Sequence, residues 1–311
     1  MARWGIAEWY GRDITTISPE DRKKFAEIAI SSEDNGVQAA DQPVCPFLSV
    51  LSKGARCNKA GGVCSIRPYD GDEPLPEDEF QPATTCPNRF LELDNGKTLF
   101  SAISEKLVGA TRAPKVVKEV PFLNKMDAAG KVRGSKAGRI DWVIIPDPIQ
   151  ISDGPFDWIA VETQSVYFSG GKLRPEFERY RDFPERLHGP RGQSRPDFRS
   201  SGAKRLVPQL ETKAPVMRRW GKKVVVVVDR AFANEFSTIS QISEDFDNAE
   251  VAIYVVKFDE SWNLKFDELI LTELDAAKLA IQATAAVRRD EFESGLREEL
   301  ALSREGKIHD A

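Results

Sequence analysis

Two segments carry acids at a spacing that could hold a divalent cation. Asp141 lies in Arg139-Ile140-Asp141-Trp142-Val143, and Glu162 and Gln164 lie two apart in Ala160-Val161-Glu162-Thr163-Gln164. Both segments read as strands, and on a strand residues two apart project from the same face. Apolar neighbours surround the acids, and an unpaired buried carboxylate is costly. A cation relieves that cost: two carboxylates, a backbone carbonyl and water make a hard oxygen site suited to Mg²⁺. Such an ion polarises a phosphodiester and generates hydroxide from its bound water. Gln164 is neutral and only exchanges hydrogen bonds, so the ion and nearby arginines would supply the rest of the electrostatic stabilisation. Asp157 is a rival acid, ranked second because it would face the other way from Glu162 on one continuous strand. Glu105 and Glu119 could add a carboxylate, but no motif supports either.

The second constellation is Cys45, Cys57, Cys64 and Cys86, spaced C-x₁₁-C-x₆-C-x₂₁-C within one segment. Four thiolates suit zinc or iron, and the spacing does not choose between them. A site closed by four ligands does no hydrolysis; its work is to fold a segment that cannot fold alone. The opening residues, MARWGIAEWYGRD, contain no apolar run of signal-peptide length, and no later stretch approaches a membrane span. The expectation is a cytoplasmic protein with reduced thiols, in which clustered cysteines point to metal before disulfide.

The elements that must position these residues fall into three regions. Residues 1–95 hold a short helix near Pro19–Ile30, with Ser18 as N-cap and Pro19 at the first position, followed by the irregular cysteine segment. Residues 96–260 alternate helix and strand. A helix is expected at Leu99–Val108 and strands at Lys115–Phe122, Ile140–Pro146 and Phe156–Tyr167. Helices follow near Pro175–Arg186 and Ala203–Trp220, then a doubly buried strand at Lys223–Asp229 and another at Val251–Lys257. Residues 261–311 read as helical from about Leu274, with a second stretch at Asp290–Leu302. The predicted class is mixed α/β, a sheet flanked by helices.

Net charge is −5, which by itself argues against a polyanion as partner, yet residues 101–228 carry a net +10 between acidic flanks. Local charge decides whether nucleic acid can dock. The loop His188–Gly202 offers Arg191, Arg195 and Arg199 among Gly and Pro, and a guanidinium fork meets O6 and N7 of guanine. Arg179 and Arg186 lie on a predicted helix, where ion pairs with Glu178, Asp182 and Glu185 compete for them.

Taken together, Cys45-Pro46-Phe47-Leu48, Cys57, Val63-Cys64, Cys86-Pro87-Asn88-Arg89, Asp141-Trp142 and Glu162-x-Gln164 resemble, in the same order, the NotI family of type II restriction endonucleases. The resemblance covers roughly residues 40–230. It implies a PD-(D/E)XK nuclease core, with Asp141, Glu162 and Gln164 as the catalytic Mg²⁺ site and Gln164 standing where lysine is usual. It also implies iron on the four cysteines, a homodimer, and double-stranded DNA cut at a GGCC-containing, GC-rich palindrome with four-base 5′ overhangs. Glu-Thr-Gln-Ser replaces the family's Glu-Ile-Gln-Thr, and Phe168–Gly202 has no close counterpart. Two other functions compatible with the residues are a structure-specific repair nuclease of the same core and a non-catalytic DNA-binding protein.

Overall fold

Five successive valines, Val224–Val228, offer no polar face, so they form a strand only where both faces are covered. The computed structural model describes residues 3–76, 80–93, 97–146, 156–169, 173–192, 195–239, 241, 245–283 and 287–302. In chain order its strands are β1 (Arg3–Trp9), β2 (Arg12–Asp13), β3 (Val63–Asp70), β4 (Glu73–Pro74), β5 (Ala83–Thr84), β6 (Lys115–Met126) and β7 (Val132–Ile145). They continue with β8 (Ile159–Thr163), β9 (Tyr167–Ser169), β10 (Arg195–Asp197), β11 (Val224–Asp229), β12 (Val251–Phe258) and β13 (Leu264–Thr272). The α-helices are α1 (Pro19–Asn35), α2 (Pro46–Ser49), α3 (Leu99–Val108), α4 (Arg174–Asp182), α5 (Phe198–Ser201), α6 (Val207–Arg219), α7 (Arg230–Ala233), α8 (Leu274–Gln282) and α9 (Arg289–Leu302). No described helix is long and apolar enough to cross a membrane.

The valine strand β11 sits inside a six-stranded mixed sheet of order β13-β12-β11-β8-β7-β6. β8, β11 and β12 run parallel, while β6, β7 and β13 join antiparallel. Alternation sends Val224, Val226 and Val228 into one cluster with Leu210, Ala214 and Met217 of α6. Val225 and Val227 enter the opposite cluster with Leu99, Phe100 and Ile103 of α3. The sheet is thus flanked by helices, the mixed α/β arrangement expected from the alternating pattern.

A second sheet, β2-β1-β3-β4 with β5 on β3, precedes it. Residues 41–95 are therefore not the irregular segment expected. β3 is buried along almost its whole length, so it lacks the alternation that announces a strand, and its partner β1 is some sixty residues distant. β1 went unpredicted for the same reason. A buried ion pair ties this sheet to the large one: Arg89 Nε donates to both oxygens of Glu8 at 2.9 Å. The Arg89 guanidinium lies over Phe47 and Phe258, and Ser65 Oγ donates to Glu8. One buried cluster accordingly includes Ile6, Trp9 and Phe25 together with Leu210, Val226 and Ile253. The expected boundary at 95/96 lies outside the described residues.

Other departures are local. The Ser18 cap is observed, its Oγ accepting from Asp21 N at 3.2 Å, and α1 runs on to Asn35. The third core strand stops at Thr163, after which β9 pairs with β10 in a separate two-stranded ribbon. The helix expected from Ala203 begins as α5 and a π-turn, Gly202–Leu206, before α6. β13, in a region read only for helices, pairs along β12 across a tight turn at 259–263.

On the inner face of α4, Glu176 is buried and its Oε2 has no hydrogen-bond partner. Burial pushes its carboxyl up to about 8, against the pull of Arg179. The native state holds a proton that the unfolded chain releases near pH 4.5. That contribution to stability is complete below pH 4.5 and is lost as pH rises through about 8. Glu176→Gln should remove this slope and exceed the parent's stability at pH 8 by on the order of 2 kcal/mol. Denaturant titrations at pH 5 and pH 8 check both expectations.

Candidate active site and four-cysteine cavity

β7 and β8 pair antiparallel with Trp142 opposite Val161, which brings Asp141 beside Glu162. The two acids are held by each other's strand. Asp141 N donates to Glu162 Oε1 at 3.2 Å, and Thr163 N donates to Asp141 Oδ2 at 3.2 Å. Glu162 is only 2% exposed, whereas Asp141 is partly open to solvent. Burial, then repulsion from Asp141, pushes the Glu162 carboxyl up to about 7 against the attraction of Lys213. Near neutrality this group is balanced between its forms, and any bound cation favours the ionised one.

Lys213 escaped sequence analysis. It lies on α6, 6% exposed, with Nζ 2.5 Å from Glu162 Oε2 and 3.1 Å from Gln209 Oε1. A signal was present: Val207, Leu210, Ala214 and Met217 form the apolar stripe of this helix, and Lys213 occupies a position on it. Gln164 follows the end of β8. Its backbone N donates to Val227 O at 3.0 Å and its side-chain Nε2 to Ser165 O at 2.7 Å.

The other candidate acids are engaged with cations of their own. Asp157 is exposed and pairs with Lys222, and Glu105 pairs with Lys97 on the surface of α3. Glu119 is exposed, adopts φ +56° between the residues that pair with Trp142 and Ile140, and accepts from Arg139. Arg191, Arg195 and Arg199 are exposed and carry no ion pair among the described residues. Arg195 opens β10 and Arg199 lies on α5, so two of the three stand on the ribbon or the helix that follows it. Beside them, the Arg205 guanidinium covers the Tyr167 ring at 3.1 Å. Arg179 is occupied, donating to Gly189 O and facing Asp72 and His188. Its acidic partner is thus Asp72, and the helix neighbours pair with Arg174 and Arg181 instead.

All four cysteines are buried, unlinked, and line one small cavity with Tyr10, Lys59, Gly62 and Asn88. Cys45 caps α2, its Sγ accepting from Leu48 N at 3.5 Å. Burial, then the neighbouring thiols, pushes the Cys64 thiol up, and burial alone leads at Cys45 and Cys57. Gly62 is required here, since at φ +65° a Cβ would overlap the Tyr10 ring. Among the described residues no group of three or more His, Cys, Asp or Glu has the geometry to hold a metal ion as it stands.

The cavity and the acids are joined by backbone. Thr85 N and Cys86 N both donate to Cys64 O. Thr84 O accepts from Val166 N at 2.7 Å, two residues beyond Gln164, and Thr84 N donates to Asp229 Oδ2 at 2.6 Å. Asp229 ends β11 and also caps α7 through Phe232 N.

Residues 30–268, more than three quarters of the chain, match the model of a family described as "Restriction endonuclease NotI". No curated protein and no solved structure matches the chain.

Asp229→Ala should leave the Thr84 and Phe232 N–H groups unpaired in the interior. The expected loss is about 2–4 kcal/mol of stability, measured by denaturant unfolding, with faster hydrogen exchange at those two amides.

Proposed function

Because the chain belongs to the NotI restriction endonuclease family, and so is a site-specific deoxyribonuclease, we propose that Asp141, Glu162 and Gln164 carry out its cutting in a PD-(D/E)XK core. One observation carries this reading: two carboxylates on adjacent antiparallel strands, locked side by side by reciprocal backbone hydrogen bonds, one of them buried and raised to about 7. Asp141 and Glu162 would hold Mg²⁺, which when bound polarises the scissile phosphodiester and acidifies the attacking water. Asp141, partly exposed, faces the substrate side of the pair. Glu162, buried, keeps its geometry through Asp141 N and Lys213. Gln164 orients a water or phosphate oxygen by hydrogen bonding and adds no charge.

The exposed guanidiniums of Arg191, Arg195 and Arg199, without an ion pair among the described residues, are the proposed readers of a GC-rich palindrome containing GGCC. A palindrome has two-fold symmetry, so a homodimer is proposed to bind it and leave four-base 5′ overhangs. Cys45, Cys57, Cys64 and Cys86 would hold a structural iron or zinc ion. Four buried, reduced thiols around one cavity are the soft donor set such an ion takes. Bound there, the ion would tether the strand segment that reaches Thr84.

The deciding experiment incubates the purified protein with a long, fully sequenced DNA and Mg²⁺, with an EDTA control, and sequences the fragment ends. Discrete Mg²⁺-dependent ends that share a GGCC-containing palindrome are expected; ends scattered at junctions or nicks would overturn the reading. Asp141→Ala and Glu162→Ala should each slow cutting by at least about 10²-fold while DNA binding persists. Elemental analysis should find one iron or zinc per chain, and Cys64→Ser should lose that metal and melt at a lower temperature. Full metal content in the variant would exclude Cys64 as a ligand.

A further inference from the structure

The strand that bears Glu162 lacks a cation, because the position two residues on is the neutral Gln164. We infer that Lys213, presented by helix α6, supplies the missing positive charge to the scissile phosphate. The inference rests on Asp141 and Glu162 being the cutting site.

Three observations lead to it. First, the Lys213 ammonium is desolvated and touches Glu162 Oε2 at 2.5 Å, and a charge is most effective where water is excluded. Second, a lysine's charged head is almost never buried unless paired, so its place between Leu210, Ala214 and Met217 is explained by the carboxylate it meets. Third, an ammonium has three protons, and Glu162 and Gln209 accept two. The remaining N–H has no acceptor among the described residues and is the one assigned to a phosphate oxygen.

The backbone fits the same role. The π-turn Gly202–Leu206 directly precedes α6, and single π-turns within helices are frequent at functional sites. Gly202 lies against Ile281 of α8, so this turn is held from outside. Arg139, two residues before Asp141, is engaged with Glu119.

In the hydrolysis, a water oxygen forms a bond to phosphorus as the bond from phosphorus to the 3′ oxygen breaks. One water proton leaves to solvent, and a proton from solvent ends on the 3′ oxygen. Lys213 keeps its own protons throughout and balances the negative charge gathering on the phosphate.

The test compares single-turnover cleavage rates of wild type, Asp141→Ala, Lys213→Met and Lys213→Met/Gln164→Lys. The substrate is a plasmid whose sites have been mapped by fragment-end sequencing. Folding is followed by thermal melting, and DNA binding is measured with Ca²⁺ in place of Mg²⁺. Lys213→Met should cut at least 100-fold more slowly with binding retained, and Gln164→Lys, by returning a lysine to the strand, should restore at least 10-fold of the loss. A Lys213→Met rate within threefold of wild type, with Asp141→Ala inactive, would overturn the role of Lys213 and leave the acids standing. Loss of cutting without rescue would mark Lys213 as a packing partner of Glu162 only, which also overturns the inference. An active Asp141→Ala would instead overturn the underlying site. If Lys213→Met does not fold, Lys213→Gln with and without Gln164→Lys gives the same comparison.

Discussion

A carboxyl group buried beside a second carboxylate governs how the centre of this molecule is built. Glu162 pays for burial with a shifted protonation equilibrium, and its surroundings are arranged to limit that shift. The Asp141 backbone N–H donates to it, Lys213 reaches it from a helix on one face of the sheet, and β11 supports its strand from the side. Each contact depends on a different element, so the geometry of the acids reports the assembly of β7, β8, β11 and α6 at once. A hydrophobic residue at 162 would pack more easily. A carboxyl in this place is what the proposed chemistry at Glu162 requires.

Two polar joints bind the early sheet to this centre. One is the Glu8–Arg89 pair between aromatic rings; the other is Thr84, whose N–H and C=O reach Asp229 and Val166. The second joint is purely backbone on the Thr84 side, so it depends on where the chain runs and not on which side chain stands there. The cysteine cavity fixes that path, because Cys64 accepts from both Thr85 and Cys86. A cavity lined by buried thiols can in this way set the path of the loop that follows the acids.

What could be read from the sequence was what local pattern encodes. The valine strand, the Ser18-Pro19 cap and the acids on adjacent strands follow from short-range spacing, and the structure brings Asp141 and Glu162 together as the strand reading required. The sheet of β1 and β3 was hidden because strands buried on both faces lose their alternation and pair across long separations. Lys213 was hidden for a related reason. It meets Glu162 across 51 residues, and only the packing of α6 onto the sheet connects them. Its sole local trace is a charged residue on an apolar stripe. Exposure separated Asp157 and Glu105 from the acids, a property that residue type cannot supply.

The ribbon of β9 and β10 starts four residues after Thr163 and carries Arg195 at its far strand. Its entry is fixed beside the acids, with Val166 N donating to Thr84 O and Tyr167 N to Ser201 Oγ, each at 2.7 Å. On the proposed reading, in which Arg195 meets the bases, a lineage could change the bound sequence by exchanging side chains of this ribbon, whereas lengthening or bending it would displace the bond presented for cutting. On that reading, new specificities should arise through substitution at a fixed ribbon length, and insertions should accumulate on other edges of the molecule.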